Sequence, residues 1–211
     1  MDLMLERGPH RSANGKKAVR QLLQETEDKV KHQYARVVKW GDIKNDIPPK
    51  LKISHVAMIP HKSKLSRCIL DLSFTLFHKG MTYSSVNDKT RKMARPEAMA
   101  QLGLVITPII YTMALHRHHG LPFKFMKLDV KDGFWQMAVT NENAWNFCYI
   151  LPSLQPQQSL NEVELVVPSS LQMGWCESPP FFCSGSETAR DLMEKLRLID
   201  LPPHRFENIM M

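Results

Sequence analysis

Between Lys17 and Trp40 the apolar residues Val19, Leu22, Leu23, Val30, Tyr34 and Val37 recur near helical spacing, with Lys, Arg, Gln and Glu between them. That period predicts one amphipathic helix. Residues 1 to 15, which include Gly8, Pro9 and Gly15, show no such period and are expected to be loose. Pro48-Pro49 breaks the helical segment, after which Leu51 to Ile59 reads as a strand ending at Pro60. Cys68-Ile69-Leu70 reads as its partner across the polar, basic turn from His61 to Arg67, which together make a β-hairpin.

Further along, residues 72 to 95 look irregular, and Pro96 opens a stretch to His116 that is apolar almost all round. A largely buried helix is expected there, with Gly103 and Pro108 as kink positions. The trio His116, His118 and His119 beside Arg117 and Gly120 reads as a solvated helix end rather than a metal site. Phe125, Leu128 and Val130 are strand-like, whereas residues 133 to 139 fit either a short helix or extended chain. Trp145 to Ile150 reads as a buried strand and Val163 to Val167 as its partner, joined by a polar turn over residues 155 to 161. A last helix is expected from about Pro180 to Arg197. The fold class is therefore α+β, an antiparallel sheet with helices packed on it. A basic helical segment over residues 1 to 47 is expected to precede the domain formed by residues 48 to 211.

Charge adds a direction to this picture. The chain has 211 residues and a net charge of +7, but fifteen Lys and Arg against seven acids fall in residues 1 to 70, while the remainder is close to neutral. A basic first third fits a polyanion such as nucleic acid, although a solvated basic helix has the same composition. The 43% hydrophobic content supports a real core. No run of about eighteen apolar residues and no signal-like start occur, so no membrane partner is expected and the default is intracellular. Cys68, Cys148, Cys176 and Cys183 have no metal-knuckle spacing and are read as free thiols.

Three stretches carry candidate chemistry. Lys62, Lys64 and Arg67 put three cations at a hairpin tip, where Arg67 offers a planar fork and the lysines point charges to a triphosphate. Asp129-Val130-Lys131-Asp132-Gly133-Phe134 places a carboxylate after an apolar run, then a Gly before a large ring. Leu171-Gln172-Met173-Gly174-Trp175 leads through Ser178-Pro179 into the last helix. Alone, Asp129 reads as a polar residue closing a strand. A metal-dependent hydrolase on Asp129 and Asp132 is disfavoured, because strand alternation tends to place positions i and i+3 on opposite faces.

In this order and spacing, over residues 48 to 205, the three stretches resemble the reverse transcriptases of retroelements and retroviruses. Arg67-Cys68-Ile69-Leu70-Asp71 is similar to the family's fingers motif, Asp129 to Phe134 to its first catalytic motif, and Leu171 to Pro179 to the following Leu-Pro-x-Gly motif. The resemblance implies a right-hand polymerase, here its fingers and the front of its palm. It implies an RNA or DNA template-primer and deoxynucleoside triphosphates as partners, and magnesium as the cofactor. Asp129 would be the catalytic carboxylate, with the Val130 carbonyl as a further magnesium ligand. Arg67 with Lys62 or Lys64 would neutralise the triphosphate, and the N–H groups of Asp132 and Gly133 would approach it. Phe134 would lie beneath the sugar as a steric gate, and Met173 and Gly174 would pack against nucleotide and template. Asp129 would sit near the end of a central strand, and the hairpin of residues 55 to 70 would project from a separate lobe.

Two departures bear on function. Gln172 stands where the family usually has Pro, and Met173 where it often has Phe or Gln. The family's Tyr-x-Asp-Asp hairpin has no counterpart, since the sequence contains no Asp-Asp pair. The expectation is a reverse transcriptase fragment that is inactive alone. The alternative is a non-catalytic nucleic-acid-binding remnant of such a polymerase.

Overall fold

The computed structural model of the chain describes residues 2–61, 66–91, 106–122, 130–155 and 159–197. They fall into two compact units, one of Met1–Met93 with Phe125–Ser178 and one of Ala94–Lys124 with Pro179–Met211.

The first unit is built on a five-stranded mixed sheet in the order β1-β7-β6-β2-β3. Its strands are β1 (Ala35–Lys39), β2 (Ile53–Ile59), β3 (Arg67–Asp71), β6 (Cys148–Leu151) and β7 (Glu164–Pro168), and a separate small hairpin joins β4 (Leu76–His78) to β5 (Met81–Tyr83). The apolar runs of β6 and β7 explain why these strands lie inside the sheet. Cys148, Ile150, Leu165 and Val167 enter one core cluster, whereas Tyr149, Leu151 and Val166 enter the other. Consecutive residues of a strand point to opposite faces, so a strand without polar positions needs cover on both. One cover comes from α1 (Asp2–Arg7) through Met4 and Leu5, with Trp40 of the short α3 (Trp40–Ile43). The other comes from α2 (Lys16–Lys31), whose buried Val19, Leu22 and Thr26 form a stripe at spacings of three and four.

Several expectations are met here and others corrected. The hairpins β2–β3 and β6–β7 both pair antiparallel, with Val56 opposite Leu70 and Ile150 opposite Leu165. β2, however, pairs with β6 in parallel, Ile53 opposite Cys148, so the sheet is mixed rather than antiparallel and the β2–β3 hairpin is continuous with it rather than set in a separate lobe. Residues 2 to 13 are not loose: α1 and a 3-10 turn at Arg11–Ala13 bury Met4, Leu5 and Ala13. The helix expected to reach Trp40 stops at Lys31. Gln33 takes φ 62, and the Tyr34 N–H closes back on the Lys29 carbonyl at 2.9 Å. That is the left-handed ending that glycine usually supplies. Val37 and Val38 then run in β1, paired with Val166 and Leu165, as suits β-branched residues. The helical segment assigned to residues 1 to 47 thus contributes a strand of the sheet itself. The helix α6 (Asn141–Ala144) and a 3-10 turn precede β6, so the strand expected from Trp145 begins at Cys148.

In the second unit, α5 (Ile106–His118) ends where its basic tail suggested. Gly120 at φ 65 lets the Leu121 N–H reach the His116 carbonyl at 2.9 Å. Its apolar side chains are not buried as expected: Ile110 and Tyr111 are 60% and 68% exposed. A helix apolar all round has no single face to bury and needs cover on every side. The last helix, α7, runs over Ser178–Arg197. Among the described residues no helix is long and apolar enough to cross a membrane.

His55 on β2 generates a pH test. It is buried, its ring stacks on Phe74 at 3.9 Å between centroids, and its Nε2 has no hydrogen-bond partner among the described residues. Burial and the charges of Arg7 and His10 hold its pKa below the ordinary 6.5, against an opposing pull from Asp71. The folded state therefore takes up this proton less readily than the unfolded chain, and the stability it confers is present above pH 6.5 and lost as pH falls below it. Urea midpoints compared at pH 7.5 and 5.5 should fall further for the native chain than for His55→Phe. Equal falls would assign the pH dependence to other groups.

A candidate nucleotide site between β3, the 131–137 turn and the Gly174 loop

Three sequence-distant segments meet on the first unit. β3 supplies Arg67 to Leu70, the turn after Val130 supplies Trp135, and the loop after β7 supplies Gln172 and Met173. Together with Leu22, Glu25 and Lys29 of α2 they line a cavity of about 530 Å3, within the usual range of small-molecule sites.

The loop is held from three directions. Gly174 has φ +102, and a Cβ there would lie 2.9 Å from the Leu70 carbonyl oxygen, so glycine is needed both for the turn and for the close approach to β3. Asn87, in the short α4 (Val86–Lys89), donates to the Gly174 carbonyl at 2.9 Å and to Ser73 Oγ at 2.8 Å, and its Oδ1 accepts the Cys176 N–H at 3.0 Å. Trp175 donates its indole N–H to Thr90 Oγ1 at 2.9 Å and packs its ring against Phe147. Gln172 is buried, its Nε2 donates to the carbonyls of Ser170 and Leu171, and the Gln172 carbonyl accepts from Ser178 Oγ. A proline at 172 would have no such donor, so the departure from the family pattern satisfies the loop internally.

The turn is equally specific. Asp132 takes φ 53, and its carbonyl accepts the N–H groups of Trp135 at 2.8 Å and Gln136 at 3.2 Å. Short-range backbone bonds make a turn of residues 131 to 136, and from Met137 to Val139 the chain is extended and bonded to Ser169 and Leu171. An isolated bridge between Ala138 and Ser170 ties this segment to the loop after β7.

The electrostatics come from α2 as well as β3. Gln21, Glu25 and Lys29 are four residues apart and share one helix face. Gln21 donates to Glu25 at 2.7 Å and to the Ser66 carbonyl at 2.6 Å, while Lys29 Nζ stands 3.8 Å from the Trp135 ring centroid. Burial and the Glu25 charge push the Cys68 thiol up to about 12, against a smaller opposing pull from Lys29, so it is protonated at neutral pH.

Of the residues singled out from sequence, Arg67 and Met173 line this cavity and Gly174 borders it; Met173 is 68% exposed. Asp132, Gly133 and Phe134 lie on the turn that carries Trp135, but Trp135 rather than Phe134 faces the cavity. Val130 is exposed. Asp129, Lys62 and Lys64 lie outside the described residues. Asp129 and the Val130 carbonyl belong to one segment, and the sequence contains no Asp-Asp pair. Among the described residues no three His, Cys, Asp or Glu side chains gather as a metal site. Sequence reasoning missed Lys29, Glu25, Trp135 and Asn87. Ser85 and Asp88 form a capping box around Asn87, a signal readable in Ser85-Val86-Asn87-Asp88.

No protein-family model matches the chain, and a search of curated proteins returns no match.

Asn87→Ala removes the side-chain bonds to Gly174, Cys176 and Ser73, and should lower stability by about 1–3 kcal/mol in urea unfolding. A loss below about 0.5 kcal/mol, the scale of an ordinary surface change, would show that the loop is held without it.

Proposed function

We propose that this chain is part of the fingers and palm of a reverse-transcriptase-like polymerase, binding a template-primer and a deoxynucleoside triphosphate without completing the chemistry alone. The observation that carries the reading is the meeting of the Arg67 strand, the turn after Val130 and the Gly174 loop around one cavity. The same three segments carry the sequence resemblance, and they are separated by about sixty and forty residues in the chain. Spacing in sequence does not require such a meeting, and the meeting supports the reading.

In this reading Arg67 neutralises the triphosphate, assisted by Lys29, and the exposed Met173 beside Gly174 supplies a surface for a base. The lysines at 62 and 64 would add charge, and Phe134 would select the sugar from the turn next to Trp135. Asp129 and the Val130 carbonyl would hold magnesium, whose part when bound is to stabilise charge on the phosphates. A two-metal transfer needs further carboxylates, which another segment or chain must supply. The basic first 70 residues also favour the second reading, a nucleic-acid-binding remnant without catalysis.

The chain with magnesium, template-primer and deoxynucleotides should give no primer extension, and sustained extension would overturn the incomplete-site reading. Arg67→Ala should weaken deoxynucleoside triphosphate binding about tenfold, the scale of one charge-assisted hydrogen bond. Binding to a template-primer should weaken steeply between 50 and 200 mM salt, as expected of phosphate contacts. Unchanged nucleotide affinity in Arg67→Ala together with salt-insensitive nucleic-acid binding would remove both readings.

A further inference from the structure

A second pocket of about 410 Å3 lies in the first unit, away from the cavity just described. Its floor is core: Leu51, Ile53, Leu76 and Val86 line it and are all buried. Its rim is cationic. Lys52 and Lys89 both line it, and Lys52 is fixed in place by donating to the Ser84 carbonyl at 3.1 Å and the Ser85 carbonyl at 2.7 Å. An ammonium has three N–H bonds, so the third remains for a ligand.

The charge in the pocket is only partly compensated. Asp88 is the acid that acts on Lys52, and its Oδ2 also accepts from Thr75 Oγ1 at 2.9 Å and the Ser85 N–H at 3.1 Å. Partial burial first, and then the neighbouring Lys89, lower the Lys52 pKa against an opposing pull from Asp88. Two lysines against one acid leave one positive charge above an apolar floor. That balance suits a single negative charge better than a dianion.

We infer that this pocket binds a monoanionic carboxylate carrying a compact apolar body, with the body on the Leu76 and Val86 floor and the carboxylate between Lys52 and Lys89. The inference is independent of the polymerase reading, because none of these residues lines the cavity at Arg67. An aliphatic and an aromatic acid share this chemistry and are separated by experiment.

The full chain would be titrated calorimetrically with decanoate and with 2-naphthoate, using 1-decanol, 2-naphthalenemethanol and acetate as controls. At least one acid should bind saturably at one site, about tenfold or more tighter than its neutral isostere and than acetate, and the tighter acid identifies the body. Lys89→Met, at an exposed position, should weaken that acid about tenfold with an unchanged circular dichroism spectrum. No saturable binding of either acid, equal binding of acid and neutral isostere, or unchanged affinity in Lys89→Met would overturn the inference.

Discussion

The close approach of Gly174 to the Leu70 carbonyl is the constraint on which the candidate site depends. A side chain at 174 would collide with that oxygen at 2.9 Å, so only glycine lets the loop after β7 lie against β3. Asn87 then fixes the loop through both ends of its amide, and Trp175 anchors it between Thr90 and Phe147. These contacts come from segments that are distant in sequence, and they bring Arg67 and Met173 to one cavity. The sheet supplies the rigid base, since β6 and β7 are buried on both faces and leave β3 at its edge.

The wall formed by α2 changes how the basic first third of the chain is understood. Gln21, Glu25 and Lys29 line up on one face of the helix, tie it to Ser66 and stack a cation on Trp135. Glu25 partly offsets Arg67 and Lys29, so the cavity is cationic but not strongly so. Cys68, protonated between them, adds a neutral surface. The α2 segment, which lies outside the family resemblance, therefore lines the candidate cavity, and its charges set the electrostatics there.

Legibility in the sequence followed the range of the interactions. The two antiparallel hairpins were readable because alternation and turn residues are local, and so was the helix end at Gly120. The parallel pairing of β2 with β6 was not, because it joins Ile53 to Cys148 across 95 residues without a local signature. Tyr34 and Val37 continue the helical spacing of α2 by coincidence, and the left-handed Gln33 that ends the helix is a position where sequence usually shows glycine. Arg67 and the Gly174 loop could be singled out in the sequence through the resemblance, and they lie at one cavity. Asn87 and Lys29 were not, because their roles exist only once the chain has folded, although the capping box next to Asn87 is a signal that can be read in advance.

Photocrosslinking with 8-azido-deoxyadenosine triphosphate, followed by peptide mapping, tests the central claim most directly. The account predicts adducts within residues 66–70, 131–137 or 172–175, reduced by excess unlabelled deoxynucleotide and by Arg67→Ala. Adducts confined to other segments, or none that competitor removes, would contradict it.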